Sequence, residues 1–302
     1  MGILVIGSSN TDLVVNASKL PRPGETVLGG EFFVNPGGKG ANQAVGAARA
    51  GKGVTFCCMT GQDDYGKAAK TLFDKEGIDT SYVFSTPDKP SGVALITVDK
   101  NAENCIVVAS GANLEIKPSD IDKIKGFKDY DIVLAQLEIP VDTVEHIGEL
   151  AEKNGVKFVL NPAPAQKLPS SLLSCVDIIT PNETEAEILT GIKVTDDNSA
   201  VEAAKALRAL GVKDVIITMG SRGALLYSGE KAEFIPAFKV KAVDTTAAGD
   251  IFNGALCVAL SEGKALREAI VFASAASSIS VTRSGAQASA PYRKEIEEVL
   301  GK

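Results

Sequence analysis

Short apolar runs recur along the chain at Ile3–Ile6, Val54–Cys58, Ile132–Ala135, Lys157–Leu160, Asp177–Ile179 and Val215–Thr218. Between them lie stretches of helical periodicity at Ala41–Ala50, Tyr65–Glu76, Val141–Asn154, Glu183–Leu189 and Ser199–Leu210. A run this short and this apolar fits a strand buried on both faces. Strands that alternate with helices need crossover connections, which make neighbouring strands parallel. The expectation is an α/β fold: a mainly parallel sheet between helices, three layers in all. Ile251–Ser261 and Leu266–Ser278 add two alanine-rich helices expected to be well buried.

Two stretches break this rhythm. Thr11–Val34 carries an apolar LVVN, a Pro21-Arg22-Pro23-Gly24 turn and then TVLGGEFFV. Gly92–Ala109 has two apolar runs around a polar turn, Asp99 to Asn104. Both read as antiparallel hairpins. They predict a small second sheet made of residues 11–35 and 92–108, projecting from a core of residues 1–10, 36–91 and 109–302. Beside a cleft such a sheet serves as a lid, as a dimer surface, or as mere decoration.

Composition narrows the chemistry. The 302 residues suit one large domain or a domain with an elaboration. Net charge is −7, from 31 Lys+Arg against 38 Asp+Glu, with no basic block, so nucleic acid is not an expected partner. A single histidine, His146, excludes a multi-histidine metal site and reads as a helix-surface residue. Asp, Glu, Lys, Asn and backbone groups must carry any catalysis. The cysteines Cys57, Cys58, Cys105, Cys175 and Cys257 are odd in number and form no CxxC, which fits reduced, mostly buried thiols. No apolar run reaches the ~18 residues of a membrane span, and no basic segment precedes Ile3. A cytoplasmic protein without a membrane partner is expected. Gly46 to Gly53 almost fits a P-loop, but Gly53 stands where a Ser or Thr is needed, and the segment ends a helix rather than opening one.

Four segments hold residue types suited to a site. In Asn35-Pro36-Gly37-Gly38-Lys39-Gly40-Ala41-Asn42-Gln43, glycines precede a helix start. They either let the backbone approach a ligand or serve a structural turn. Lys39 and Asn42 share a face that a polar ligand such as a sugar would use. In Asp244-Thr245-Thr246-Ala247-Ala248-Gly249-Asp250, small residues open an apolar helix. Their N–H groups make an anion hole, and Asp250 is either a dipole-complementing acid or a base that takes a proton from a hydroxyl. In Thr180 to Glu187, Asn182 and Glu185 either cap a helix or hold Mg2+ through water. Thr218-Met219-Gly220-Ser221-Arg222-Gly223 is an ordinary turn or a nucleotide loop at a strand's end.

Taken together, the segments resemble the ribokinase branch of the phosphofructokinase-B-type carbohydrate kinases, over essentially the whole chain. The resemblance runs through Gly7–Asp12, Pro23–Thr26, Pro36–Gln43, Gln136–Glu138, Asn161–Ala165, Thr180–Glu187, Thr218–Gly223, Asp244–Asn253 and Thr282–Gln287, in the family's order. It implies the three-layer α/β/α core with a β lid, and ATP-dependent phosphorylation of D-ribose at the 5-hydroxyl. It gives Asn10, Asp12, Gly38, Lys39, Asn42 and Glu138 as sugar contacts, Asp250 as catalytic base, and Ala247, Ala248 and Gly249 as anion hole. Asn182 and Glu185 match the phosphate and Mg2+-water positions, and Thr218, Gly220, Ser221, Arg222 and Gly223 the nucleotide loop. Ser274 falls where some relatives carry a histidine near the adenine, a departure from the pattern. The resemblance further implies a K+ ion held by Asp244, Thr246, Ser289 and backbone oxygens near Ser280, Arg283 and Gly285, and a homodimer formed through the lid. The alternatives are a same-fold kinase for 2-deoxyribose, another sugar or a nucleoside, and a non-catalytic sugar-binding regulator.

Overall fold

The computed structural model describes residues 2–101 and 103–301. Ala102, in the polar turn expected from Asp99 to Asn104, lies outside the described residues. In chain order the strands are β1 (Ile3–Ile6), β2 (Asn10–Asn16), β3 (Glu31–Gly37), β4 (Val54–Gly61), β5 (Asp79–Thr86), β6 (Gly92–Val98), β7 (Asn104–Ala109), β8 (Ile132–Ala135), β9 (Lys157–Leu160), β10 (Ile178–Ile179), β11 (Asp214–Thr218), β12 (Ala224–Ser228) and β13 (Lys231–Ile235). The helices are α1 (Lys39–Arg49), α2 (Asp64–Lys75), α3 (Pro118–Ile121), α4 (Val141–Asn154), α5 (Ser170–Cys175), α6 (Glu183–Thr190), α7 (Asp197–Ala209), α8 (Ala248–Ser261), α9 (Leu266–Ser280) and α10 (Arg293–Val299).

The large sheet runs β13-β12-β11-β10-β9-β8-β1-β4-β5. It is parallel from β11 to β5, with β12 and β13 antiparallel at one edge. Strand alternation sorts the core into two layers. Ile3 and Val5 pack with α1, α8 and α9, whereas Leu4 and Ile6 pack with α4, α5 and α7. The chain lays β4 and β5 on one side of β1, then returns to lay β8 to β11 on the other. The order therefore reverses between β1 and β8, which is where open α/β sheets gather ligands at the strands' carboxyl ends.

Helix α8 is buried from Asp250 through Leu260, which explains its almost unbroken apolar sequence. It lies close against α1 because Gly254 carries no side chain. A Cβ there would sit 2.6 Å from the Gln43 carbonyl oxygen and 2.8 Å from the Ala47 nitrogen. That close approach brings Asn42 and Gln43 to Asp250.

The small sheet runs β3-β2-β6-β7, and its two antiparallel hairpins join through a parallel β2–β6 pair. The first hairpin is shorter than the sequence suggests. Gly29 and Gly30 take φ of 88° and 126°, which interrupts the TVLGGEFFV run, so β3 starts only at Glu31. Phe32, Phe33, Val34, Leu95, Ile106, Val107 and Val108 of this sheet are exposed. Strands β5, β12 and β13 were not anticipated. β5 lies at the sheet edge, with polar residues spread through it and only its last residue, Thr86, buried, so it shows no clean apolar run. Cys57, Cys58 and Cys257 are buried as expected, but Cys105 is exposed on β7 and Cys175 half-buried. No helix among the described residues is long and apolar enough to cross a membrane.

Candidate active site

The candidate residues gather at the carboxyl ends of the parallel strands, around the β1/β8 reversal. The segment after β1 passes through Ser8 and Ser9 into Asn10, where β2 begins. Asn113 fixes this passage: its Oδ1 accepts from Ser9 N at 2.9 Å, and its Nδ2 donates to Asn10 Oδ1 at 2.7 Å. The Asn10 amide is thereby left with its NH2 group for other partners.

The glycine segment serves close backbone packing, the structural one of the two readings its sequence left open. A Cβ on Gly38, whose φ is 90°, would meet Asn10 N at 2.7 Å, and one on Gly40 would meet Ser8 N at 2.6 Å. One on Gly37 would meet both Asp12 carboxylate oxygens at 2.4 Å. These glycines let the start of α1 pack on the chain leaving β1. The close approach is of protein to protein, and it sets the positions of Lys39, Asn42 and Asp12.

Glu138, just beyond β8, accepts from Ser8 Oγ at 2.5 Å and from Lys39 N at 3.0 Å. The Lys39 ammonium lies 3.9 Å from the other Glu138 oxygen. Burial works against the charge of Lys39, but Asp250, Glu138, Glu185 and Asp12 outweigh it and hold its pKa above the ordinary value. Asp12 is pushed up to about 6, chiefly by burial and then by Glu138, with Lys39 opposing. Asp250 is buried; its Oδ2 accepts from Asn42 Nδ2 at 2.9 Å and its Oδ1 from Gln43 Nε2 at 3.0 Å. Burial raises its pKa, while Lys39 and the two amide donors restrain the rise. The result is a wall of hydrogen-bonding groups with one ammonium among carboxylates, suited to a neutral polyhydroxy ligand. Asn42 Oδ1 is buried there without a protein partner among the described residues.

Asp250 stands in the first turn of α8, after Ala247, which takes the left-handed conformation at φ 59°. Ala248 N donates to Thr245 O at 3.2 Å, and Ile251 N to Ala247 O at 2.9 Å. Those bonds leave the Ala247, Gly249 and Asp250 N–H groups at this helix start without an acceptor among the described residues. The Ala248 N–H, expected to join them, is engaged by its own turn. Two contacts steady the start: Asn253 Nδ2 donates to Gly249 O at 2.8 Å and Ser277 Oγ to Ala248 O at 3.0 Å.

Asn182 and Glu185 form a reciprocal cap on α6, each accepting from the other's backbone N–H at 2.8 Å. The helix-cap alternative is therefore realised. Burial raises the pKa of Glu185, while the Asn182 N–H and Lys39 lower it and Asp250 raises it further. Thr218, at the end of β11, lies beside this cap: Thr218 N donates to Pro181 O at 2.9 Å. Gly220, Ser221 and Arg222 form an exposed turn, and Gly223 closes it at φ 103°, where a Cβ would meet Ile235 O at 2.0 Å. The Arg222 guanidinium bonds Glu183 at 2.6 Å and Asp197 at 3.2 Å, so it is engaged by α6 and α7. Ser274 is half-buried on α9.

Asp244 accepts from Thr246 N and from Gly285 N, both at 2.9 Å, and so joins the loop before α8 to the loop after α9. Burial would raise its pKa, but these donors outweigh it and hold it below the ordinary value. Ser280 and Ser289 are buried with their hydroxyls 2.7 Å apart. The Arg283 guanidinium pairs with Glu295. His146 lies on α4 against Asp122, 2.8 Å away, as a surface residue would.

Four residues at the heart of the site went unassigned in the sequence: Gln43, Gln136, Asn161 and Asn113. The first three lie inside the segments that carry the family resemblance, but their partners are remote in the chain, so sequence position alone does not reveal what they do.

Comparison with known proteins agrees with the geometry. A family model described as pfkB family carbohydrate kinase matches residues 2–293. A ribokinase of Haemophilus influenzae is 48% identical over 299 residues, covering 99% of this chain and 98% of that protein. A deoxyribokinase of Salmonella typhi is 39% identical over 308 residues, covering 99% of each. The structure of an Arabidopsis thaliana ribokinase complexed with ribose and ATP superimposes with a TM-score of 0.93 at 33% identity, covering 100% of this chain and 99% of that one.

Proposed function

The chain belongs to the pfkB family of carbohydrate kinases, and from that premise we propose that it transfers the γ-phosphoryl group of ATP to the 5-hydroxyl of D-ribose. The observation that carries this reading is the seat of Asp250. A buried carboxylate with a donor on each oxygen stands in the same helix turn as the free N–H groups of Gly249 and Asp250, facing Lys39 and Asn42. In the reaction, the hydroxyl oxygen bonds to the γ-phosphorus and the bond to the β–γ bridging oxygen breaks. The hydroxyl proton passes to Asp250, and ADP leaves. The start of α8, with Gly249 foremost and Ala247 and Ala248 shaping the turn, stabilises charge on the transferring phosphoryl oxygens. Asn10, Asp12, Gly38, Lys39, Asn42 and Glu138 form the sugar wall. Thr218 to Gly223 and Ser274 line the nucleotide side.

Two cations complete the proposal. Mg2+ neutralises phosphate oxygens when bound, and Asn182 and Glu185 would hold it through water. Their hard oxygen donors fit that ion, and the described residues contain no cluster of three or more acidic, His or Cys side chains that would cage it directly. K+ would sit where Asp244 joins the two loops, with Thr246, Ser289 and the carbonyls of Ser280, Arg283 and Gly285 as its surroundings. The ionised Asp244 fits a cation, and the Arg283 side chain, turned to Glu295, leaves only its carbonyl for that role. The small sheet acts as a lid on the sugar wall, since Asn10 and Asp12 lie on its strand β2, and its exposed apolar residues pair two copies in a cytoplasmic homodimer.

Coupled ADP release with Mg2+, comparing D-ribose, 2-deoxyribose, fructose and adenosine with and without potassium, tests the reading. Turnover strongest on ribose and raised by potassium is expected. Strongest turnover on 2-deoxyribose would move the acceptor to that of the Salmonella relative. Ribose binding without turnover on any acceptor would overturn the enzymatic reading.

A further inference from the structure

The two donors that hold Asp250 differ in their surroundings. Asn42 lies on the sugar wall. Gln43 is fully buried, and both of its amide hydrogens and its amide oxygen have partners inside the protein. Its Nε2 donates to Asp250 Oδ1 at 3.0 Å and to Asn161 Oδ1 at 3.0 Å, while its Oε1 accepts from Gln136 Nε2 at 2.6 Å.

The direction of these bonds is forced. Asn161 Nδ2 donates to the Thr180 carbonyl at 3.2 Å, and a carbonyl can only accept. Asn161 therefore offers its oxygen to Gln43. With its amide reversed, Gln43 would set its own oxygen against two acceptors, Asn161 Oδ1 and Asp250 Oδ1. Gln136, one residue beyond β8, supplies the donor that its oxygen needs. Thr180 carries the connection onward: its hydroxyl donates to Asn253 Oδ1 at 2.6 Å, and Asn253 bonds Gly249 O. A continuous chain of bonds thus runs from the end of β8, behind Asp250, to the start of α8.

We infer that Gln43 is the positioning residue of the Asp250 carboxylate, held by Gln136 and Asn161 so that it donates to Oδ1 from behind and keeps Asp250 turned to the acceptor hydroxyl. This rests on Asp250 being the proton acceptor. The other charged groups facing Asp250 are Lys39 on α1, Glu138 beyond β8, Asp12 on β2 and Glu185 on α6. A change at Gln43 leaves all of them in place.

The test is the single-turnover rate of phosphoryl transfer to D-ribose at saturating sugar, from about pH 5 to about pH 9. Saturation removes the contribution of Asp12 on the binding wall. Gln43→Met keeps the length of the side chain but removes the donor. A bond to a charged group is lost, so the acid limb should move up by about one to two pH units, with the KM for sugar changed less than about threefold. Gln43→Glu sets a carboxylate against Asp250 and should move the limb further. Gln136→Met, which frees Gln43 to turn, should move it less but in the same direction, and it decides the matter if the Gln43 variants fail to fold by circular dichroism. A rate lowered by one factor at every pH, or an unmoved limb, overturns the inference while a dead Asp250→Asn variant leaves the base assignment standing. Near-normal turnover in Asp250→Asn overturns both.

Discussion

The two halves of the cleft are built differently. On the proposed acceptor side, Asn42, Gln43 and Asp250 are buried, both Asp250 oxygens accept from the two amides, and these bonds join residues far apart in the chain. On the proposed nucleotide side, Asn182 and Glu185 cap their own helix, and Arg222 pairs with Glu183 and Asp197 at the surface. Buried networks are rigid and costly to leave incomplete, whereas exposed caps and ion pairs are cheap to rearrange. On the proposed reading, the acceptor half would be set before substrate arrives, and the nucleotide half would present backbone and rearrangeable side chains to a ligand that must enter and leave in each cycle. Loss of a side chain should accordingly cost far more on the first side than on the second.

The largest effect is expected at the centre of the rigid half. Asp250→Asn keeps the size of the side chain but removes the proposed proton acceptor, and turnover should fall about 10²–10⁴-fold. Its melting temperature should not fall, because burial already disfavours the Asp250 charge. ADP release and a thermal melt on the same preparation check both halves of this expectation. An active variant would remove Asp250 from the mechanism and with it the meaning of the buried network.

The same division governs what could be read in the sequence. Residues whose chemistry is carried by their own side chains, such as Lys39, Asn42 and Asp250, stood out by type and setting, Asn10 and Asp12 came only from the family resemblance, and the five lie around one site. Gln43, Gln136 and Asn161 did not, because their meaning lies in bonds spanning 93 to 207 positions. The glycines of the Gly37–Gly40 segment were visible but open to two readings. Only the backbone contacts with Ser8, Ser9 and Asn10 show that they seat α1. The strands buried on both faces, β1, β8 and β9, announced themselves as apolar runs. The edge strands β5 and β13 did not, since an edge has fewer neighbours to cover it and tolerates polar residues; β12, an inner and buried strand of five residues, was missed beside β13.

An intermediate effect is expected at Asp12, where the acceptor wall trades stability for binding. Its pKa, raised from 3.8 to about 6, means that ionisation is harder in the folded chain than in the unfolded one. Below pH 3.8 the group is neutral in both states and carries no penalty. Stability is lost as pH rises through that value to about 6, and stays lost above it. Asp12→Asn removes the penalty. The ligand-free variant should melt higher than the parent by roughly 2–4 °C at neutral pH, with no gain near pH 4. Its KM for the sugar should rise about tenfold or more, as a charged hydrogen bond is lost. A gain that is the same at every pH would place the Asp12 carboxylate outside the buried wall.

The smallest effect is expected at Arg222. Its two partners are exposed, and exposed ion pairs contribute at most about 1 kcal/mol and are screened by salt. Arg222→Ala should change the melting temperature by less than about 2 °C and the KM for ATP by less than about threefold, and both differences should fade in about 0.5 M salt. The outcome sharpens the contrast between the halves, because Arg222 has two possible employments. If it serves mainly to hold α6 and α7 together, its loss is felt as a small, salt-sensitive change in stability. If it leaves Glu183 and Asp197 to grip the nucleotide, its loss is felt in KM alone, by about tenfold or more. That second result would mean that the exposed ion pair is a parking position, and that the nucleotide half assembles its charged contacts only when the ligand arrives.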